Sequence, residues 1–207
     1  MSLMRRLFAL TYDRSMARME KAGFRELREG ALAQATGDVL EIGGGTGSNL
    51  RYYGPAVTSL TIAEPEAPML KRLEKKVREQ RSPAKVVRAP AEHLPFADDS
   101  FDTVVSTLVL CGVDDQRTAL QEIRRVLRPG GRLVFIEHVR SDDPKLAKLQ
   151  DRMNRLNRFV AGCDCNRATL DTIRSEGFEV ETLERTALDK VPKFVRPAIV
   201  GTAAAAS

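Results

Sequence analysis

The stretch Val39-Leu40-Glu41-Ile42-Gly43-Gly44-Gly45-Thr46-Gly47 limits what this chain can fold into more than any other. Val39, Leu40 and Ile42 read as the end of a buried strand, and Glu41 places a carboxylate at its carboxyl tip. Gly43, Gly45 and Gly47 follow at every second position. Glycines so spaced let the backbone turn sharply and let a ligand approach main-chain N–H groups without a Cβ in the way. They also deliver the chain into a helix whose N-terminus faces that ligand. The turn reads as a cradle for a nucleotide-like group.

The rest of the chain alternates strands with helices at a regular pitch. Ser59 to Glu64 is a second strand closed by Pro65, and Met69, Leu70, Leu73 and Val77 mark the buried face of the helix that follows. Lys85 to Val87 is a short third strand, and Ser100 to Leu108 a fourth, whose near-continuous apolar run implies burial on both faces. Asp114 or Asp115 caps the next helix, with Leu120, Ile123 and Leu127 inward, and Pro129-Gly130-Gly131 ends it before a fifth strand from Arg132 to His138. Leu146, Leu149, Met153, Leu156 and Val160 then form one apolar helical seam, and Gly162 to Asn166 a turn. Leu170 and Ile173 mark a last helix stopped by Gly177. Phe178 to Thr182 and Phe194 to Thr202 read as closing strands, with Ala203 to Ser207 as a frayed tail. Before the glycine turn, Leu3, Leu7, Leu10, Met16, Met19, Gly23 and Leu27 predict two short helices that break at Tyr12-Asp13. This order predicts a doubly wound, mostly parallel α/β sheet.

At 207 residues the chain suits one domain. We divide it into an N-terminal helical cap (1–36), a cofactor-binding core (37–140), a helical insertion (141–168) and a final helix with C-terminal strands (169–207). Lys and Arg number 33 against 28 Asp and Glu, giving a formal charge of +5, which permits an anionic partner without demanding nucleic acid. Nothing approaches the length of a membrane span, and residues 1–16 lack a secretory signal, so a cytoplasmic location is expected. Cys111, Cys163 and Cys165 are odd in number and suit reduced thiols. Too few ligands accompany Cys163 and Cys165 for a zinc site, and no metal is expected.

Three ligands compete for the glycine turn. A P-loop needs Lys then Ser or Thr after its last glycine, and Ser48-Asn49 has no lysine. A dinucleotide turn wants its third glycine at the sixth position, which is Ser48 here. The discriminating feature is a set: Glu41 to Gly47, Glu64 ending the second strand, Ala91-Glu92-His93-Leu94-Pro95-Phe96, Ser100 to Val104, and Leu127-Arg128-Pro129-Gly130-Gly131. Together these resemble the class I S-adenosylmethionine-dependent methyltransferases. The resemblance implies a seven-stranded Rossmann-like sheet in order 3-2-1-4-5-7-6 with strand 7 antiparallel. Carried over by it, Glu41, Gly43, Gly44 and Gly45 face the methionine end of S-adenosylmethionine, and Glu64 beside Pro65 takes the ribose hydroxyls. Met69, Ala91 and Glu92 meet adenine, and Thr107 and Leu108 floor the methyl group. The family's acidic residue before Ala91 is Pro90 here.

Within that class, Ser106 to Cys111, Ile136 to Val139, Gly162 to Arg167 and Tyr12 to Met16 resemble the subgroup that includes alkyl thiol methyltransferases. The implied reaction is in-line methyl transfer to a small thiol or small lipophilic acceptor, with contact to a membrane permitted but no span. His138, at the end of the fifth strand, and Tyr12 are the candidate catalytic residues, with Asp13 and Glu137 nearby in the reading. The fourth strand ends in Ser106-Thr107-Leu108-Val109, not in an amine-methylating Asn/Asp-Pro-Pro signature, which argues against nucleic acid. Quinone or phospholipid methylation, a nicotinamide-dependent oxidoreductase and a non-catalytic cofactor-binding subunit are the alternatives.

Overall fold

The computed structural model describes residues 13–205. Tyr12, Leu3, Leu7 and Leu10 lie outside them. Helix α1 covers residues 13–19 and runs through a kinked turn, Glu20–Phe24, into α2, Arg25–Leu32. A break falls at Ala22 and Gly23, which the spacing of the apolar residues did not suggest, while the break expected at Tyr12-Asp13 lies at the limit of the described residues. Gly23 takes φ +107, a conformation that costs glycine little and a side-chain-bearing residue a great deal.

The sheet comprises β1 (Gly37–Ile42), β2 (Val57–Ala63), β3 (Lys85–Val87), β4 (Phe101–Thr107), β5 (Leu127–His138), β6 (Phe178–Ala187) and β7 (Pro197–Ala205). Its order is β3-β2-β1-β4-β5-β7-β6. The first five strands pair in parallel, whereas β7 runs antiparallel to both β5 and β6, as expected. The connecting helices are α3 (Ala67–Glu79), α4 (Gln116–Val126), α5 (Pro144–Ala161) and α6 (Thr169–Ser175), with a single 3-10 turn at Lys193–Val195. Asp115 caps α4, its carboxylate accepting from the N–H groups of Arg117 and Thr118.

Several strand boundaries differ from the sequence reading, that of β6 among them, which runs on from Thr182 to Ala187. Strand β5 starts at Leu127, which pairs with Phe101, and the register then jumps so that Thr103 meets Arg132. The Pro129-Gly130-Gly131 segment is thus a bulge within the strand and not a separate stop. The tail is not frayed at its start, since Ala203 to Ala205 pair with β6. Pro197 occupies the first position of β7, where a missing N–H is tolerated.

Side-chain alternation along the strands divides the interior in two. One face carries Leu40, Ile42, Val104, Leu133 and Phe135 against Leu120 and Ile123 of α4 and Ile173 of α6. The other carries Val39, Val105, Val134 and Ile136 against Met16, Met19, Phe24 and Leu32 of the N-terminal helices. By the same period of two, Glu41, Thr107 and His138 lie on the second face, at the carboxyl ends of three neighbouring strands. The N-terminal helices therefore roof the edge at which a ligand would sit. No helix among the described residues is long and apolar enough to cross a membrane.

Candidate active site

The turn after β1 is held open by its glycines. Gly43 and Gly45 take φ +56 and +57. A Cβ on Gly43 would meet the Val109 side chain at 2.6 Å, and one on Gly44 would collide with the Ile62 methyl. A ligand approaching this turn meets backbone, and no side chain could be added there without moving a neighbour.

Glu41 is buried at the tip of β1. Its two oxygens accept from Asn49 Nδ2 at 2.9 Å and from the Tyr53 hydroxyl at 2.8 Å. Burial nonetheless pushes its carboxyl up from 4.5 to about 7, with the nearby Glu64 charge adding to the push. Glu64 directly follows β2 and accepts from the Gly45 and Glu66 N–H groups, each at 2.8 Å. Burial raises it too. Each Glu64 oxygen keeps a second lone pair, which suits a vicinal diol. Two buried carboxylates at a glycine turn, neither in a salt bridge among the described residues, suit a ligand that carries positive charge of its own. S-adenosylmethionine brings an ammonium and a sulfonium as well as a ribose diol, so the residues present fit it.

A hub absent from the sequence reading stands behind Glu41. Arg28 of α2 is buried and donates to Asn49 Oδ1, and Asn49 passes hydrogen bonds on to Glu41 and, at 3.2 Å, to Thr107. Arg28 also pairs with Glu20 at 3.2 Å and lies over the Phe24 ring. Glu20 in turn accepts from the Tyr52 hydroxyl at 3.1 Å. The signal for this hub was an arginine on the same helical face as Phe24, Ala31 and Leu32. At the front, Thr46 donates to Asp13 at 2.7 Å and Arg72 pairs with Asp13 at 3.2 Å, tying the start of α1 to the glycine turn.

The floor is built by the loop after β4. Thr107 ends β4, and Leu108 after it takes φ +58, an uncommon conformation for a leucine. Glu137 holds this loop from below. Its fully buried carboxylate accepts from the Ser106 hydroxyl at 2.6 Å and from the N–H groups of Val109, Leu110 and Cys111 at 2.9, 3.1 and 3.2 Å. Glu137 thus fixes backbone, on the sheet face opposite Glu41. Arg167 clamps the same loop from the other side through the carbonyls of Leu110 and Val113.

Met69 and Ala91 are both buried at this edge, and Pro65 is exposed, its carbonyl accepting from Arg88. Glu92 turns its carboxylate to the Asp114 N–H at 2.7 Å, so it secures the approach to α4. His138 shares the face of Glu41 and Thr107 but is buried, with Nδ1 lacking a hydrogen-bond partner among the described residues. Burial drives its imidazole down to about 4, against a smaller opposing effect of the Val195 and Pro197 backbones. Among the described residues no cluster of three metal-ligating side chains occurs.

Comparison with known proteins places this geometry. Residues 40–135 match the family described as methyltransferase domain. The chain is 32% identical over 211 residues to human thiol S-methyltransferase TMT1A, covering 95% of this chain and 82% of that protein. It is 42% identical over 132 residues to human thiol S-methyltransferase TMT1B, covering 61% of this chain and about half, 53%, of that protein. A solved structure from Thermotoga maritima, described as an S-adenosylmethionine-dependent methyltransferase and possible histamine N-methyltransferase, superposes with a TM-score of 0.73. At 23% identity, covering 99% of this chain and 100% of that one, it shares the fold.

Proposed function

This chain belongs to the class I S-adenosylmethionine-dependent methyltransferases and acts on a small molecule, and we propose that its acceptor is a small lipophilic thiol. S-adenosylmethionine is its cofactor and supplies, when bound, an electrophilic sulfonium methyl. The comparisons favour this over a nicotinamide-dependent oxidoreductase or a non-catalytic subunit.

The observation that carries the thiol reading is the chemistry of the groups at the carboxyl edge. Glu41, Glu64 and Glu137 each already accept hydrogen bonds from the chain itself. The His138 imidazole, held near 4, is a poor match for removing a proton from an alcohol or a carbon acid. A thiol with a pKa near 8.5 supplies its own nucleophile at neutral pH and needs only to be placed. The similarity to thiol S-methyltransferases over most of the chain supports the same reading.

In this assignment Glu41 and the Gly43, Gly44 and Gly45 backbones hold the methionine end, and Glu64, beside Pro65, holds the ribose. Met69 and Ala91 pack on adenine, which answers the proline at position 90 by apolar contact, while Glu92 braces the loop. Thr107 and Leu108 set the floor against which the acceptor is aligned. The cap over 1–36, which contains Tyr12, and the insertion over 141–168 shape the acceptor side. His138 is a neutral wall of that side, not a base. The free thiols of Cys111, Cys163 and Cys165 agree with a cytoplasmic location.

The test is methyl transfer to a panel of thiols, phenols and quinols by the intact protein and by His138→Ala. We expect thiol turnover, with a rate that rises as the acceptor ionises and changes by less than about threefold in the variant. A general base contributes roughly a hundredfold or more. A loss of that size in a folded His138→Ala protein, or preference for hydroxyl acceptors, would overturn the reading.

A further inference from the structure

Helix α5 is packed with its polar side inward. Gln150, fully buried, donates to the Val139 carbonyl at 3.0 Å and to the Cys165 carbonyl at 2.7 Å. Asn154 donates to Asp164 at 2.8 Å, Asn157 to the Cys163 carbonyl at 2.6 Å, and Arg158 pairs with Asp164. Of the apolar seam read from the sequence, Leu146 and Met153 are half-buried and Leu149, Leu156 and Val160 are exposed. Leu149 is 37% exposed, Leu156 56%, Val160 53% and Phe159 69%, four of the five large exposed hydrophobics among the described residues. They gather on one helix, so chance scatter over the surface does not account for them.

We propose that the outer face of α5 seats the protein in the plane of an anionic lipid surface. The choice of occupant follows from charge. By helical geometry Leu149, Leu156 and Val160 fall within about 40° around the axis, and Lys145, Lys148, Arg152 and Arg155 lie in the adjoining sector of about 80°, with Phe159 among them. All four cations are exposed, and among the described residues none of them meets a carboxylate. Asp151, the one acidic residue on that side of the helix, is engaged by Arg140 at 2.5 and 2.8 Å. An apolar stripe bordered by unpaired cations matches acyl chains bordered by phosphates, with the long basic side chains reaching outward to the headgroups. The helix is too polar to span, which leaves it lying in the interface.

The seat is rigidly tied to the catalytic edge, because Gln150 grips the carbonyl of Val139, the residue after His138. A lipophilic acceptor dissolved in the bilayer would then enter beside its site, a consequence that rests on the acceptor class proposed above. The binding itself does not, and it is measured without acceptor or cofactor.

The test is sedimentation of the intact protein with phosphatidylcholine vesicles made with and without phosphatidylglycerol. We expect partition into the anionic vesicles that falls as sodium chloride rises. The double variant Leu156→Glu/Phe159→Glu should bind about tenfold more weakly or worse, and Lys148→Ala or Arg152→Ala roughly fivefold more weakly each. Unchanged S-adenosylhomocysteine affinity and melting temperature would show that these outward changes leave the fold intact. Failure to sediment with either vesicle, or equal binding to both, overturns the proposal. So does wild-type binding by the α5 variants, which would assign the contact elsewhere, with residues 1–12 first in line. A lipid-indifferent protein whose dimer is broken by the same variants on a sizing column would make a second copy the occupant, and would also overturn it.

Discussion

Replacing Glu41 with Gln should stabilise the protein at alkaline pH while weakening its hold on the cofactor. Burial raises this carboxyl from 4.5 to about 7 in spite of the hydrogen bonds from Tyr53 and Asn49 and the charge of Arg28. A group whose folded value is raised contributes stability that is fully present below its unfolded value and is lost as the pH climbs through the folded one. Above pH 7 the buried ionised form therefore costs about 3 kcal/mol relative to the unfolded chain, at 1.36 kcal/mol for each pH unit. Gln keeps the shape and carries no charge. Its own hydrogen-bonding mismatch with Asn49 or Tyr53 is a constant offset, so the informative quantity is the pH slope. Between pH 5 and pH 8.5 the advantage of Glu41→Gln over wild type should grow by about 2 to 3 kcal/mol, roughly 5 to 10 °C in melting temperature for a chain of this size. Urea unfolding of both proteins at a series of pH values measures it. Calorimetry with S-adenosylhomocysteine provides the functional half. Wild-type affinity should rise through about pH 7 as Glu41 ionises, whereas the variant should be flat and weaker by roughly tenfold to a hundredfold. Parallel stability curves for the two proteins would refute the burial argument, and wild-type affinity in the variant would refute the ammonium assignment.

Three further outcomes follow from the same geometry. Glu64→Ala strips the Gly45 and Glu66 N–H groups of their acceptor as well as removing the proposed diol partner, so S-adenosylhomocysteine affinity should fall about a hundredfold, with Glu64→Gln recovering part of the turn. Gly44→Ala drives a methyl into Ile62, with Leu73 at 3.5 Å behind, and should lower stability by about 1 to 3 kcal/mol in a thermal melt; an unchanged melting temperature would show that the turn can shift. Arg28→Met leaves Glu20 buried and unpaired and should destabilise by about 3 to 5 kcal/mol, whereas Arg28→Met combined with Glu20→Leu should recover much of that in a denaturant series.

The parts of the site legible in the sequence are those whose chemistry is written in adjacent residues. The glycine turn, Glu41 at its entry and Glu64 at the end of the next strand are each a short string with a local physical reason. The strands themselves follow from apolar runs bounded by turns, whereas their order came from the family resemblance. Arg28 was legible only as a cation on an apolar helical face, and its contact with Asn49, 21 positions away, is one that no periodicity announces. Glu137 was legible only as a carboxylate at a strand end. Strand alternation places it on the face opposite Glu41, where it collects three backbone N–H groups in place of a ligand. His138 differs from it by one position, hence by one face, and that single step separates a carboxylate that braces the loop after β4 from a side chain on the face of Glu41 and Thr107.

Helix α5 shows a different limit. A seam at spacings of three and four states that a helix has an apolar side, and the identical pattern arises whether that side meets a core or a bilayer. What decides between them is the opposite side, and the sequence does carry that information in Gln150, Asn154 and Asn157. Amide side chains at spacings of four and three have little reason to recur on a solvated face already rich in Lys and Arg, because neutral amides add no charge there and Asn is a poorer helix former than either cation. They have a strong reason to recur where backbone carbonyls from a neighbouring turn must be satisfied away from water, as those of Val139, Cys163 and Cys165 are here. An amide stripe opposite an apolar seam is thus evidence that the seam faces outward, and the cations beside Leu156 and Phe159 say toward what.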